Sequence, residues 1–227
     1  MDGWTLHWLE AAGPLGEWRT DLLGEFHAAY KILSARMRPP RVDILIQKQA
    51  NDTIPETGTG GRGYSDTLLS IAVDPENPNF QASLQSGEFR RGVIHEVHHC
   101  LRNAGPGYGW TLGEALVSEG LAGQFVRSLF GNDPELWEKA VTRQQLQDAA
   151  VDVEALTATD YDHSTWFFGS GSLPRWFGYS LGYEMVGSWQ RQMAEIDAQK
   201  WVNVSAAEII EAAAHDDLLS RFKAHSQ

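Results

Sequence analysis

The residues with the clearest chemical potential lie in one run, His95-Glu96-Val97-His98-His99, which contains the pattern H-E-x-x-H. Two histidines four positions apart lie one above the other on a helix, so their imidazole nitrogens can reach one zinc ion at about 2.0–2.1 Å. Glu96 would lie beside the metal, where a carboxylate can take a proton from a zinc-bound water. The pattern predicts a zinc hydrolase with ligands His95 and His99 and general base Glu96.

The helix that carries this run needs an apolar face on its other side. At about 100° per residue such a face exists, and His95 and His99 lie opposite to it (Phe89, Val93, Val97, Cys100, Leu101). We interpret His98 as a structural residue or a support for a ligand, because a His95/His98 pair would leave no glutamate at the general-base position. The alternative is an amphipathic helix whose exposed face merely collects histidines.

A catalytic zinc site has three protein ligands and one open position, so a third ligand must come from another segment. Glu119 is the best candidate, because it falls within the apolar stripe of a second helix (Leu112, Ala115, Leu116, Ala122, Val126, Leu129). A carboxylate is rarely buried without a counter-ion or a metal. The alternative interpretation of Glu119 is a buried salt bridge to Arg102 or Arg175.

Charge and composition exclude several classes of partner. Eighteen Lys+Arg and thirty Asp+Glu give a net charge of −12, which opposes binding to nucleic acid or to anionic membranes. The single cysteine, Cys100, excludes an intrachain disulfide and leaves His, Asp and Glu as metal ligands. The first residues do not read as a secretory signal, and no stretch approaches about 18 apolar residues. We expect a cytoplasmic protein with a peptide or protein substrate, and its oligomeric state stays open.

Hydrophobic periodicity predicts an N-terminal helix, two strands and then mostly helices. The first helix spans residues 17–37 and is stopped by Pro39-Pro40, and the strands span residues 41–46 and 67–73 with a glycine-rich mobile loop between them. The later helices are expected at about 87–104, 112–130, 134–149, 174–196 and 206–223.

Signals at helix ends support these boundaries. Thr111-x-x-Glu114 and Ser205-x-x-Glu208 read as capping boxes, Asp133-Pro134 as a helix start, and Gly105-Pro106 as a helix stop. The result is an α+β fold in one domain, residues 1–227, with a small N-terminal β-sheet (about 1–85) and a mainly helical C-terminal half (about 86–227). The longest irregular stretch, in the 150s and 160s, is either a lid or a loop packed by its own aromatic residues.

The three predicted zinc ligands and the general base together resemble those of a gluzincin, a zinc metallopeptidase with HExxH on one helix and a glutamate ligand on the next. The segment Ser118-Glu119-Gly120-Leu121-Ala122 is similar to the N-E-G-F-A segment of zinc aminopeptidases. More narrowly, residues 93–186 resemble a bacterial family of predicted zinc-dependent proteases of undefined role, including its later W-x-G-Y-x-x-G-Y-like stretch (here residues 176–183). Residues before about 65 carry no motif of that family.

The resemblance implies a zincin-like fold, a bound Zn²⁺ and a tyrosine or histidine that stabilises the oxyanion. Tyr183 is our first choice for this role; Tyr179 and His163 are the other candidates, and a tyrosine packed in an aromatic core is the alternative for Tyr183. The resemblance also implies that the strand at 67–73 lies along the cleft and pairs with extended substrate, although it could be an ordinary sheet strand.

The sequence thus predicts a zinc peptidase, without separating endopeptidase from exopeptidase activity. The alternative is a non-catalytic, zinc-stabilised protein-interaction domain. Glu96 distinguishes the two, because a structural zinc site needs no carboxylate at that position and prefers a fourth protein ligand such as His163 or His98.

Overall fold

The fold is α+β, and the computed structural model describes residues 1–220. The chain divides into two compact units, Met1–Gly105 and Pro106–Gln227. The first unit contains a β-sheet and three helices, including the helix with the H-E-x-x-H run, and the second is built from helices. That the chain forms one zincin-like domain stays a prediction.

The sheet of the first unit has four strands in the order β1-β2-β4-β3. Strands β1, β2 and β4 are parallel, and β3 runs antiparallel at the edge beside β4 (β1 Trp4–Leu9, β2 Val42–Lys48, β3 Thr59–Gly63, β4 Leu68–Val73). In β2 the buried residues alternate, with Val42, Ile44 and Ile46 facing the core, as a half-buried strand requires. The prediction of a small N-terminal sheet is confirmed.

Three helices complete the first unit: α1 Arg19–Arg36, α2 Phe80–Ser86 and α3 Glu88–Asn103. Helix α1 buries one stripe against the core, at residues three or four apart (Leu22, Phe26, Ala29, Leu33). Phe26 meets Phe89 of α3 edge to face at 5.3 Å, and the Arg90 guanidinium binds the Glu25 carboxylate with two hydrogen bonds of 2.8 and 2.6 Å. These contacts fix α3 on α1.

The second unit contains five helices within the described residues (α4 Leu112–Phe130, α5 Arg143–Ala149, α6 Phe177–Arg191, α7 Ala198–Asn203, α8 Ala206–His215). Helices α4 and α6 pack against each other, and α8 packs on both. The backbones of α4 and α6 touch at glycines: a Cβ at Gly120 would lie 2.1 Å from the Gly182 carbonyl oxygen, and one at Gly182 would lie 2.1 Å from the Leu116 carbonyl oxygen. Only glycine permits this approach.

Most predicted helices are confirmed with shifted ends. Helix α4 begins with the expected capping box, in which Thr111 and Glu114 exchange both hydrogen bonds, and Ser205 accepts the Glu208 N–H at 3.2 Å. Helix α6 is shorter than 174–196 and α8 ends at His215, while residues 221–223 of the last predicted helix lie outside the described residues.

The predicted helix over 134–149 is wrong in its first half, because only Arg143–Ala149 is helical and Asp133-Pro134 starts no helix. The segment is instead held by tertiary polar contacts to α6. The Ser180 hydroxyl accepts the Val141 N–H at 3.1 Å and donates to the Trp137 carbonyl oxygen at 2.9 Å. Such long-range bonds override local helical periodicity.

The glycine-rich segment before residue 67 is also more ordered than predicted. It contains a 3₁₀ turn, Ala50–Asp52, and strand β3, so it is not simply a loop between two strands. Strand β1 and helix α2 were not expected from the sequence either. The irregular stretch of the 150s and 160s contains a 3₁₀ turn, Ala155–Thr157, and one π-helical turn, Ser164–Phe168.

Within residues 1–220, no helix combines the length and the apolar character needed to cross a lipid bilayer.

The glycine contact between α4 and α6 gives the first testable prediction. Gly120→Ala should lower the free energy of unfolding by roughly 1–3 kcal/mol, because the added methyl group overlaps the Gly182 backbone. Gly24→Ala in α1 is the matched control: no atom lies within 4 Å of its added methyl group, so it should stabilise the protein by up to about 1 kcal/mol. Urea unfolding measures both, and equal effects of the two substitutions would contradict the packing argument.

Candidate metal centre

Helix α3 presents the H-E-x-x-H run on a firmly packed support. It begins after Gly87, whose left-handed backbone (φ 79°) separates it from α2. Its predicted apolar face is buried at Phe89, Val93, Val97 and Cys100. Burial raises the pKa of the Cys100 thiol to about 12, with the carboxylates of Glu96 and Asp66 adding to the effect, so this thiol stays protonated at neutral pH.

The two predicted histidine ligands lie on successive turns of α3. The ring centroids of His95 and His99 are 4.9 Å apart, with an interplanar angle of 76°. His99 is buried, whereas His95 is partly exposed to solvent. One member of the pair is therefore accessible from outside. His98 is fully buried, as a structural role requires.

Glu96 lies beneath the backbone of strand β3. A Cβ at Gly61 would lie 2.4 Å from the Glu96 Cγ and 2.7 Å from its Oε1, and one at Gly63 would lie 2.9 Å from the His99 Cβ. Residues 61 and 63 face the same side of β3, because side chains alternate along a strand. Strand β3 can therefore cover the Glu96 side chain only because residues 61 and 63 are glycines and have no side chains.

Strand β4 was the sequence-based candidate for pairing with substrate. The structure contradicts that assignment, because β4 pairs with β2 on one side and with β3 on the other. A strand whose two edges are both paired has no backbone groups left for a third strand. It is an ordinary sheet strand, and the strand next to Glu96 and His99 at the sheet edge is β3.

Glu119 lies on α4, in the second unit. It is 9% exposed, as predicted for a residue within the apolar stripe. The Tyr108 hydroxyl donates a hydrogen bond of 2.8 Å to its Oε1. Burial is the main cause that raises the pKa of Tyr108, with the nearby Glu119 charge contributing, so the phenol stays a hydrogen-bond donor.

The three predicted ligands come from both units, His95 and His99 from α3 of the first and Glu119 from α4 of the second. Two imidazole nitrogens and one carboxylate oxygen are the donor set of known catalytic zinc sites. The chemistry of this donor set fits zinc, and that the three residues bind one ion stays a prediction.

The candidates for oxyanion stabilisation have different surroundings in the second unit. Tyr183 is buried beside Gly123, and burial raises its pKa to about 12, with Glu138 adding to and Arg127 opposing the effect. Tyr179 instead interacts electrostatically with Tyr108 and packs edge to face on Phe167 at 5.0 Å. The role of Tyr183 stays a prediction.

His163, the third candidate, stacks on Phe167 with ring centroids 4.3 Å apart. It also lies near the ring of Tyr161, at 6.2 Å. Burial raises the pKa of Tyr161, and the nearby charge of Glu119 adds to the effect. The aromatic residues of the 160s thus form a packed cluster, the second of the two possibilities considered for this stretch.

Sequence reasoning missed Tyr108 and the role of Gly61 and Gly63 in β3. Tyr108 is eleven residues from Glu119 in a short irregular turn, so no helical or strand periodicity connects the two. The repeated glycines of residues 58–63 were visible, but glycine-rich segments usually indicate loops, and only the pairing of β3 with β4 shows that they form a strand.

A comparison with protein families gives one match. The family described as "Predicted Zn-dependent protease (DUF2268)" matches residues 23–211. The match begins well before residue 65, so it includes the N-terminal part in which no motif was found. Neither the curated proteins nor the solved structures gave a match. With most of its length matched, the chain belongs to the DUF2268 family of predicted Zn-dependent proteases.

Proposed function

We propose that this protein is a zinc-dependent peptidase of the gluzincin type, with His95, His99 and Glu119 as the metal ligands. The observation that carries the proposal is the arrangement on α3: the imidazole rings of His95 and His99 lie 4.9 Å apart on successive turns, and the buried carboxylate of Glu96 follows the first of them. The family's description as predicted Zn-dependent proteases supports the same class. A cytoplasmic location remains part of this proposal.

Zinc, when bound, would polarise the scissile carbonyl and lower the pKa of a water molecule. Glu96 is the residue of this chain that moves the proton: its carboxylate oxygen accepts a proton from the attacking water and then donates it to the leaving amine. The backbone of β3 at Gly61 limits the space in which that carboxylate can rotate. The base is therefore held in place before substrate binds.

Tyrosine hydroxyl groups supply the second element that peptide hydrolysis needs, a donor to the oxyanion. Tyr183 is the proposed donor, and Tyr179, which interacts electrostatically with Tyr108, is the alternative. Tyr183 has Glu138 and Arg127 as its charged neighbours. A hydroxyl donor aimed at a developing oxyanion contributes on the order of 10²-fold to the rate.

The alternative function, a non-catalytic zinc-stabilised interaction domain, has less support. Such a site closes its metal with a fourth protein ligand. His98 is fully buried in the first unit and His163 stacks on Phe167 in the second, which favours neither as a fourth ligand. The three proposed ligands leave a position for water and substrate.

Zinc binding is the most direct test of the site. Protein purified without chelators should contain one zinc per chain by elemental analysis. Glu119→Ala should weaken zinc binding by at least 10- to 100-fold, because loss of a ligand exceeds the effect of losing a supporting group. Unchanged zinc affinity together with a loss of about 3–5 kcal/mol of stability would instead identify Glu119 as a salt-bridge partner.

Glu96→Gln tests the general base. The amide is nearly the same size but cannot accept a proton, so cleavage should fall by on the order of 10²-fold or more while zinc content stays at the parent value. Cleavage of a peptide library by zinc-loaded and chelator-treated protein, read by mass spectrometry, provides the assay. Equal rates for the variant and the parent at equal zinc content would refute the role of Glu96.

Gly61→Ala tests whether β3 holds the Glu96 carboxylate. The added methyl group overlaps Glu96 Cγ, so the carboxylate or the strand must move, and activity should fall by roughly 10-fold or more. Arg62→Ala is the matched control, since residue 62 faces the opposite side of the same strand and is exposed. Comparable activity of the two variants would show that β3 has no effect on the base.

A further inference from the structure

The turn before α4 places one tyrosine on the proposed glutamate ligand. Gly107 and Gly109 flank Tyr108 and both have positive φ, at 83° and 93°, a conformation that other residues adopt only with strain. These two glycines give the turn a shape in which the Tyr108 hydroxyl reaches Glu119 and donates to its Oε1 at 2.8 Å.

The turn is itself tied to α4 by Glu114. The Oε2 of Glu114 accepts the N–H of Trp110 at 2.8 Å and the N–H of Thr111 at 2.9 Å. A Cβ at Gly109 would lie 2.2 Å from the Glu114 Cβ, so the turn packs directly on this side chain. Glu114 therefore fixes the segment that carries Tyr108, and the hydroxyl is held relative to the helix that carries Glu119.

We propose that Tyr108 is a positioning residue for the metal centre, which orients the Glu119 carboxylate for zinc; the inference rests on the proposed function. The last torsion of a glutamate side chain is broad, so an unsupported carboxylate samples many orientations. A hydrogen bond to one of its oxygens restricts that rotation before the metal arrives. Groups that hold a metal ligand in this way typically contribute 10- to 100-fold in metal affinity.

Tyr161 is a second tyrosine whose pKa is raised in part by the charge of Glu119, and it provides a comparison for Tyr108. Glu119 acts on Tyr161 through its charge, whereas Tyr108 also donates a hydrogen bond to the Glu119 Oε1. Tyr161→Phe therefore also removes a tyrosine hydroxyl near Glu119, but it leaves the hydrogen bond from Tyr108 to the Glu119 carboxylate in place. Tyr161→Phe is the matched control for Tyr108→Phe.

The test measures zinc affinity of the full chain by competition with a chromophoric chelator. Tyr108→Phe should bind zinc 10- to 100-fold more weakly than the parent, and Tyr161→Phe should stay within twofold of it. The zinc-induced rise in melting temperature gives a second measurement that applies even to a destabilised variant, and it should be smaller for Tyr108→Phe than for Tyr161→Phe.

A double-mutant cycle separates positioning from packing. In the Glu119→Ala background, Tyr108→Phe should change zinc affinity by less than twofold, because there is no carboxylate left to orient. A tenfold or larger effect in that background would overturn the inference, as would parent-like affinity of Tyr108→Phe alone. A parent protein that binds no zinc would refute the proposed function itself, so the two failures are distinguishable.

Discussion

The candidate site depends on glycines at which the backbone directly contacts a neighbouring helix or side chain. In the second unit, Gly120 lets α4 touch α6 at Gly182, and the residue before it on α4 is Glu119. In the first unit, Gly61 and Gly63 let β3 lie on the side of α3 that carries Glu96 and His99. A larger residue at 61 or 63 would need space that the Glu96 and His99 side chains occupy. The first unit therefore packs the Glu96 side chain against backbone, which limits that side chain's freedom more than flexible neighbours would.

The same packing places two carboxylates in surroundings with little water. Glu96 and Glu119 are each 9% exposed, and burying a carboxylate is costly unless other groups compensate. Their charge acts on neighbouring groups: Glu96 contributes to the raised pKa of Cys100, and Glu119 to that of Tyr108. Tyr108 satisfies one carboxylate oxygen as a neutral donor and so does not cancel its charge. A buried negative charge of this kind stabilises a bound cation.

The sequence was most informative where candidate site residues lie on helices with a regular hydrophobic pattern. The H-E-x-x-H run and the position of Glu119 in an apolar stripe could be read directly, because helical spacing determines which side chains share a face. Long helices such as α1, α3 and α4 were predicted within two residues at each end. The features that could not be predicted depend on partners distant in sequence. Strand β3 forms through its pairing with β4, and the segment before α5 is held by Ser180 of α6.

The position of Glu96 is what most separates a catalytic from a purely structural metal site. A zinc ion that only stabilises the fold gains nothing from a buried carboxylate one residue after a histidine ligand. Here that carboxylate is buried, and its position requires glycine at residue 61, although glycine in a strand weakens it. Both features lower stability, and proteins retain such costs mainly at functional sites. The arrangement therefore favours the proposed hydrolase over a zinc clamp, which would be more stable without it.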